Sequence, residues 1–362
     1  MEKKPKPPTI NEVAALAEVG VGTVSRYLKN HSAVKPKTRA FIERAIQELA
    51  FVPNEMARRL AQGKSNNILL MMLSENPIFT STWLYERSII QGIYDALEPT
   101  SYTMQLIMGF VDKPNDIFET IRSNIYTRSA DGVILLSTWH VEERAIGLLE
   151  QSKTPYVLLG NSSEVRKANE VLLDNYGATR MLLHHLMELG HTRIGLITGN
   201  QEQQHMHERI GAFFSIMQEN GLDAGEECIA YGDYSVESGY HCARRLLTSG
   251  KCTPTALICG NDFIAAGAMK AADDLHREVP ASLSVAGYDN LPLTELMRPA
   301  LTTVQFPGYE MGLLSVQKIF AEMQNPGKGV SSEILSSKLI IRASTAPLNE
   351  SCAKDCVNDQ EG

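Results

Sequence analysis

The side chains of this sequence that could hold a small polar molecule fall in short clusters, each following an apolar run that predicts a β-strand. These clusters are Ser74-Glu75-Asn76, Gly160-Asn161-Ser162, Gly199-Asn200, Asp233-Tyr234, Asn261-Asp262 and Asp289-Asn290. In open α/β sheets, ligands bind at the edge formed by the carboxyl ends of the strands. The clusters therefore predict a polar binding site at the ends of several strands.

Other reactive side chains do not form a catalytic or metal-binding set. His205 and His207, with His184 and His185 elsewhere, have no carboxylate or thiolate at ligand spacing. Ser32 precedes a lysine at S-x-x-K spacing, but it lies in a loop far from the polar clusters. The sequence contains no G-x-G-x-x-G, no G-x-x-x-x-G-K-[ST] and no G-x-S-x-G. We therefore expect no enzyme, no metal and no cofactor.

The segment from Thr9 to Leu28 predicts two short amphipathic helices joined by a tight turn. Its apolar residues recur at three- and four-residue steps, as the buried stripe of a helix requires. They are Val13, Ala14, Ala17, Val24 and Leu28. Thr9 and Glu12 have the spacing of a capping box. In the turn, Glu18-Val19-Gly20 provides a polar, a buried and a permissive residue.

The second of these helices, from about 21 to 29, places Thr23, Ser25 and Arg26 on its outward face. This is the geometry of a helix-turn-helix, whose second helix enters the DNA major groove. An ordinary helical hairpin would show the same spacing, so the pattern alone leaves both interpretations open.

The distribution of charge favours DNA binding by the N-terminal region. Residues 1–65 contain 12 Lys and Arg against 6 Asp and Glu, a formal charge of +6. The whole chain has a formal net charge of −8, so the remaining residues carry −14. A basic head on an acidic body suits contact with phosphates by the head alone.

Composition predicts a globular cytoplasmic protein. Hydrophobic residues make up 43% of the chain and charged residues 21%, which is ordinary for such proteins. No apolar run reaches the roughly 18–20 residues of a membrane span, and no apolar segment follows the basic N-terminus. Of the six cysteines, four are expected to be core thiols: Cys228, Cys242, Cys252 and Cys259.

A third helix is predicted from about 37 to 49. Its apolar face would close a small core over the first two helices and consists of Phe41, Ile42, Ala45, Ile46 and Leu49. Pro53 stops this helix, and residues 55–61 then predict a short helical piece with too narrow an apolar stripe to be stable alone. We expect this piece to be a hinge that folds only against a partner.

From residue 66 onward, apolar runs alternate with amphipathic helical segments. The runs lie at 68–73, 102–107, 132–137, 156–160, 193–199, 228–233, 256–260 and 284–289. Apolar strands alternating with helices predict a parallel sheet covered on both faces. About eight such units are too many for one small sheet, so two doubly wound lobes are expected.

These elements contain motifs whose order resembles the lactose/galactose-repressor (LacI/GalR) family over about residues 9–345. The motifs are TINEVAALA, TVSRYL, LxFVPNxxARxL, DNYGATRMLLHHLMELGHTRIGLITG, ERIGAF, GDYSVESGY, PTALICGNDFIAAGAM, LSVAGYDN and LTTV…YEMG. The resemblance implies an all-α helix-turn-helix headpiece and an α/β periplasmic-binding-protein-like sensor with two doubly wound parallel-sheet lobes.

The resemblance also implies which residues contact double-stranded DNA. It places Val21 and Gly22 at the base-reading positions and Leu60 as a wedge in the minor groove, where an apolar side chain unstacks a base step. A leucine in a helix core is the alternative for Leu60. The full implied set is Thr9, Val21, Gly22, Thr23, Ser25, Arg26, Lys29, Asn54, Ala57, Arg58 and Leu60.

Three departures from the family pattern bear on operator reading. Glu18-Val19-Gly20 stands where the family usually has Gly-Val-Ser, so the small turn residue and the hydroxyl cap are both changed. Val21 can contact only a thymine methyl, and Gly22 has no side chain to read a base. Lys29 replaces an asparagine common in the family. The sequence therefore does not identify the outer bases of the operator.

For the sensor, the resemblance implies an effector site for a sugar, a sugar acid or a sugar phosphate. The implied contacts are Phe79, Asn161, Arg209, Tyr234, Asn261, Asp289 and Phe306. Asp289, Asn261 and Arg209 offer acceptors and donors for vicinal hydroxyls, and the aromatic faces suit the C–H side of a ring. The alternative is that Asp289 and Asn261 cap the following helices and Arg209 bridges a surface acid.

The expected organisation is a headpiece over 1–54, a hinge helix and linker over 55–65, an effector-binding and dimerisation domain over 66–346, and a disordered tail over 347–362. Lobe 1 is expected at about 66–161 and 292–330, and lobe 2 at about 162–291 and 331–346. The predicted function is a ligand-responsive repressor of carbohydrate use that binds a pseudo-palindromic operator as a homodimer. The alternatives are a sugar carrier or a carbohydrate enzyme with an added headpiece, and an activator or corepressor-dependent regulator.

Overall fold

The computed structural model describes residues 8–29, 31–52, 64–74, 82–110, 113–137, 139, 141–160, 162, 168–222, 224–250, 253–327 and 330–349. The chain divides into two compact units, residues 1–65 and residues 66–362. None of the helices in these ranges is both long enough and apolar enough to cross a membrane.

The first unit contains three α-helices around a small core. They are α1 (Ile10–Leu16), α2 (Val21–Lys29) and α3 (Pro36–Glu48), with a short 3-10 turn at His31–Ala33 before α3. The buried side chains are Val13, Ala14, Ala17, Val24, Tyr27, Val34, Ile42, Ala45 and Phe51. The predicted helix boundaries agree with these to within a residue or two. Phe41 differs from the prediction, since 50% of its surface is exposed, whereas Ile42 and Ala45 are buried as predicted.

The turn between α1 and α2 differs from its prediction in one detail. The left-handed backbone lies at Glu18, with φ 54°, and not at Gly20. Gly20 instead precedes α2, where its carbonyl accepts from the amides of Thr23 (2.8 Å) and Val24 (3.3 Å). The permissive residue is therefore not at the position where backbone freedom is used.

The second unit contains two six-stranded sheets. The first has the order β11-β5-β4-β3-β1-β2 and is parallel throughout; the second has the order β12-β10-β9-β8-β6-β7, with β12 antiparallel to β10. The strands are β1 (Asn67–Ser74), β2 (Thr103–Phe110), β3 (Gly132–Leu136), β4 (Tyr156–Leu159), β5 (Glu170–Leu173), β6 (Ile194–Thr198), β7 (Ile229–Tyr231), β8 (Ala256–Cys259), β9 (Ser284–Asp289), β10 (Thr302–Gln305), β11 (Ser332–Leu335) and β12 (Lys338–Ile340).

Helices cover these sheets. They are α4 (Thr82–Leu97), α5 (Pro114–Tyr126), α6 (Glu143–Gln151), α7 (Asn175–Glu188), α8 (Gln204–Glu219), α9 (Val236–Thr248), α10 (Asp262–Asp274), α11 (Leu293–Leu296) and α12 (Gly308–Gln324). Two separate buried clusters flank each sheet, one on each face. The two doubly wound lobes predicted from the alternating pattern are thus present.

The chain crosses between the two lobes at different positions from those expected. Strand β5 pairs with β4, through Leu158 opposite Glu170, so lobe 1 continues to residue 173 and not to 161. Strand β10 pairs with β9 in lobe 2, although it falls within the range expected for lobe 1, and β11 pairs with β5 in lobe 1. These strands are only four residues long, so the strands with which they pair decide the lobe to which they belong.

The end of the described chain is attached to lobe 2. The amide of Leu348 donates to the carbonyl of Leu189 (2.8 Å), and His191 Nε2 lies 3.1 Å from the carbonyl oxygen of Ala346. Residues 347–349, expected in the tail, are therefore placed by the structure. Cys259 is a buried free thiol as expected, and Cys242 is a free thiol but only half-buried. Cys228 is in a disulfide bond, so the expected thiol at Cys228 is wrong, and Cys252 lies outside the described residues.

Candidate functional site

The N-terminus of α1 has the capping box that its spacing predicts. The amide of Thr9 donates to Glu12 Oε2 (2.6 Å), and the amide of Glu12 donates to Thr9 Oγ1 (3.4 Å). The hydrogen bonds to Thr9 lower the pKa of Glu12 below its usual value. Because Thr9 is itself exposed, it can also reach a nearby phosphate while it caps the helix.

Helix α2 presents one polar face to solvent and buries the other. Val24 and Tyr27 point into the core, and the Tyr27 hydroxyl donates to Glu43 Oε1 (3.1 Å). Arg26 and Lys29 are exposed, and 41% of Val21 is exposed. Thr23 and Ser25 are half-buried. The exposed set is that of a recognition helix, with its N-terminal residues free to meet base edges.

Gly22 has open space around it. A Cβ built at this position would meet nothing within 4 Å. Packing within the headpiece therefore does not require glycine here, and a larger residue would fit without strain. The other implied DNA contacts, Asn54, Ala57, Arg58 and Leu60, and the predicted hinge at 55–61 lie outside the described residues.

In the second unit, Arg209 is the centre of a network at the carboxyl ends of the strands of lobe 2. Only 6% of its surface is exposed. Its Nε donates to Asn175 Oδ1 (3.0 Å) and its Nη1 donates to the carbonyl of Gly260 (3.1 Å). The guanidinium lies 3.8 Å from the ring centroid of Tyr288. The alternative of a surface ion pair for Arg209 is therefore wrong.

Tyr234 packs against a glycine at the end of β6. A Cβ built on Gly199 would lie 1.9 Å from the Tyr234 ring, so only glycine allows this approach. The Tyr234 hydroxyl donates to Gln203 Oε1 and lies 3.0 Å from His205 Nε2. Its backbone has φ 68°, a left-handed conformation that is costly for a residue with a side chain. Such strain is typical of residues placed for binding.

Asn261 acts as the N-cap of α10, as the alternative interpretation proposed. Its Oδ1 accepts from the amide of Ile264 (2.8 Å), and its Nδ2 donates to the carbonyl of Tyr234 (3.2 Å). The second bond ties α10 to the strained backbone of Tyr234. Asn261 therefore supports the site through Tyr234 in addition to capping the helix.

Asp289 ends β9 with φ 103°, a second strained backbone at the same edge. Burial raises the pKa of Asp289 to about 6, and Arg209 opposes this shift. Burial also raises the pKa of Asp262 well above its usual value, and the neighbouring Asp289 carboxylate adds to the effect. Asp262 accepts from the Leu291 amide (2.7 Å) and the Thr303 hydroxyl (2.6 Å), which fixes the segment after Asp289.

Phe306 follows β10 and packs into the core of lobe 1 beside Ile68 and Met311, with 8% of its surface exposed. Phe79 and Asn161 lie outside the described residues. Four of the seven implied effector contacts, Arg209, Tyr234, Asn261 and Asp289, therefore lie at the strand ends of lobe 2. Asn261 bonds Tyr234 directly, and the Arg209 charge acts on Asp289.

Several residues that bond or stack on Arg209 or Tyr234 have no recognisable motif in the sequence. Asn175, Gln203, His205 and Tyr288 hold Arg209 or Tyr234, yet none was predicted as a site residue. Burial lowers the pKa of His205 well below its usual value, and Arg209 lowers it further. His205 is therefore a neutral partner for the Tyr234 hydroxyl. No group of three or more metal-binding side chains occurs among the residues placed by the structure.

Comparison with known proteins gives the same division of the chain. Residues 9–54 match a model of bacterial regulatory proteins of the lacI family, and residues 183–345 match a periplasmic binding protein-like domain. The transcriptional repressor CytR of Escherichia coli strain K12 is 31% identical over 94% of this chain and 97% of its own. The transcriptional regulator CelR of Thermobifida fusca is 31% identical over 95% of this chain and 100% of its own.

Solved structures agree with these relatives. A lac repressor dimer bound to operator and the anti-inducer ONPF is 25% identical, with a TM-score of 0.83 over 94% of this chain and 100% of its own. A CelR–cellobiose complex is 28% identical, with a TM-score of 0.70 over 93% of this chain and 99% of its own. The relatives are transcriptional regulators and not enzymes. The chain belongs to the LacI family of bacterial regulatory proteins.

Proposed function

We propose that this protein is a transcriptional repressor of carbohydrate use that binds a pseudo-palindromic operator as a homodimer and responds to a sugar-like effector. The main support is the position of Arg209, Tyr234, Asn261 and Asp289 together at the strand ends of lobe 2, with Asn261 bonded to Tyr234 and the Arg209 charge acting on Asp289. The solved relatives include one bound to cellobiose and one dimer bound to operator. The proposed function involves no catalysis and acts in the cytoplasm, where the operator is.

The chemistry of the network suits a neutral polyhydroxylated ligand. The Asp289 carboxylate accepts hydrogen bonds from hydroxyl groups, and Arg209 supplies the guanidinium N–H groups that Asn175 and Gly260 do not use. The Tyr234 ring offers an apolar face to ring C–H groups. Since Arg209 is already held by three partners, it loses little entropy when a ligand binds.

On DNA, we propose that Val21 contacts a thymine methyl and that Arg26 and Lys29 contact base edges or phosphates. Leu60 is proposed as the minor-groove wedge, with Arg58 beside it on the phosphates. The effector acts by binding one lobe arrangement more tightly than another, which changes the fraction of protein able to bind the operator.

A thermal-shift screen of the full-length protein against sugars, sugar acids, polyols and sugar phosphates tests the effector half of the proposal. A ligand specific for the folded state raises the unfolding midpoint by mass action. The shift should be lost in Asp289→Asn and kept in Asp116→Asn, which changes an exposed carboxylate in α5. A shift that survives in Asp289→Asn would place the ligand elsewhere.

The DNA half is tested by selecting duplexes from a random pool with the full-length protein and titrating the selected site. Repression predicts a steep fall of affinity with salt, because phosphate contacts release counterions. Adding the ligand found in the screen then separates an inducer, which weakens binding, from a corepressor, which strengthens it. Selection of no preferred sequence would contradict the repressor assignment.

A further inference from the structure

Three consecutive residues, the N-cap Gln203 and the first two residues of α8, connect Tyr234 in lobe 2 with lobe 1. Gln203 and His205 both bond the hydroxyl of Tyr234. Gln204, between them, bonds instead to Ser162. Ser162 follows β4 and precedes β5, and both of these strands belong to the sheet of lobe 1. One turn of α8 therefore contacts both lobes.

The contact between Gln204 and Ser162 has two hydrogen bonds. Gln204 Nε2 donates to Ser162 Oγ (2.8 Å), and the Ser162 amide donates to Gln204 Oε1 (3.4 Å). Both residues are half-buried. The amide group of Gln204 thus directs both its donor and its acceptor at the same residue, which fixes the distance between the lobes at this point.

Ser162 lies two residues after a glycine with a left-handed backbone at the end of β4. Gly160, two residues earlier, has φ 86°, and a Cβ there would lie 3.1 Å from the carbonyl oxygen of Ser137. The chain can therefore turn out of β4 in this way only with glycine.

We propose that the Gln204–Ser162 contact is an interlobe latch, which holds one lobe angle and is strengthened or released through Tyr234. Gln203 and His205 flank Gln204 in the same helical turn, so a displacement of Tyr234 moves Gln204 relative to Ser162. The latch rests on the proposed function only in taking Tyr234 as part of the effector site. Its existence as a contact that sets the lobe angle is independent of DNA and of any ligand.

The test measures the lobe angle by single-molecule energy transfer in the full-length protein without ligand. Fluorophores are attached through genetically encoded keto amino acids at Tyr126, at the exposed end of α5 in lobe 1, and at Glu219, at the exposed end of α8 in lobe 2. Mixing with excess unlabelled protein leaves one labelled chain in each oligomer. This design avoids the native cysteines.

Gln204→Ala removes both hydrogen bonds, and Ser162→Ala removes only the bond to Oγ. Each lost hydrogen bond should change the population ratio between the lobe angle held by the latch and the released lobe angle by about fivefold. Gln204→Ala should therefore show the larger shift. Gln201→Ala is the matched control, because it removes the same atoms from an exposed residue in the preceding loop and should leave the distribution unchanged.

Tyr234→Phe tests the connection to the effector site, since it keeps the ring and removes only the hydroxyl bonded by Gln203 and His205. The distribution should move in the direction seen for Gln204→Ala. An unchanged distribution in Gln204→Ala, or in Tyr234→Phe, overturns the proposal. An equal change in Gln201→Ala also overturns it, because the effect would then belong to the loop as a whole. Failure to repress or to bind sugars would not alter any of these results.

Discussion

The guanidinium of Arg209 lies 3.8 Å from the ring centroid of Tyr288, and the next residue in the chain is Asp289. The Tyr288 ring therefore holds the Arg209 guanidinium near Asp289, the residue that ends β9 with a strained backbone. Asn175 and Gly260 fix the remaining orientation of Arg209. This arrangement places a cation beside a buried carboxylate without an ordinary surface ion pair.

Arg209→Lys should weaken effector binding by about tenfold or more. The lysine ammonium keeps the charge but loses the planar fork that bonds Asn175 and Gly260 while still facing the ligand. A charged hydrogen bond of this kind contributes about 1.5–3 kcal/mol. The measurement is calorimetric titration with the ligand found by thermal shift, and Arg180→Lys, at an exposed position of α7, is the control. Equal affinities for both variants would contradict the assigned contact.

Effector affinity should fall as the pH is lowered through about 6, the pKa of Asp289. Below this pH the Asp289 carboxyl is protonated and can no longer accept hydrogen bonds from two ligand hydroxyls. The affinity should then decrease by about tenfold for each pH unit. The titration is repeated from above to below pH 6. Asp289→Asn should bind weakly with a flat pH profile, and a flat profile in the wild type would refute the role of Asp289.

Glu18→Gly should stabilise the headpiece by about 1 kcal/mol. Glu18 has φ 54°, and a left-handed backbone costs a residue with a side chain about 1–2 kcal/mol. Hydrogen exchange of the α1 and α2 amides in the full-length protein measures the local opening free energy. Glu48→Gly, at the end of α3, serves as the comparison and should have the opposite sign. Slower exchange is expected only for Glu18→Gly.

The buried histidines of lobe 2 should lower its stability as the pH falls below about 6.5, the usual pKa of histidine. Burial raises the pKa of Asp262 and Asp289, so these carboxylates contribute in the opposite direction, and the histidine contribution is measured as a difference between variants. Burial lowers the pKa of both His185 and His191 in the folded protein. At these two histidines the unfolded chain therefore binds more protons than the folded protein in this pH range. Their contribution to the free energy of unfolding decreases as the pH decreases. Both rings bond the C-terminal segment, His185 at Thr345 and His191 at Ala346.

His191→Gln should make this pH dependence shallower, as measured by denaturant unfolding at several pH values. His184→Gln, at the exposed neighbour of His185, should leave it unchanged. A pH profile that is equally steep in the wild type and in His191→Gln would show that another group carries the effect.

The sequence alone determined the elements whose signals are local. The capping box at Thr9 and Glu12 needs only a three-residue spacing, and the bounds of α2 follow from an apolar stripe around Val24. The long apolar strands, such as β1 and β9, were predicted because burial on both faces of a parallel sheet leaves a continuous hydrophobic run. The ordered motifs gave the family and with it Arg209, Tyr234 and Asp289.

Only the tertiary structure decided which lobe receives β5, β10 and β11. These strands are four residues long, so their stability comes from the neighbours they pair with and not from their own pattern. The same holds for the site. Tyr288 stacks on Arg209, and Gln204 reaches Ser162 across the lobes, because segments far apart in sequence meet in space. No local spacing encodes such contacts.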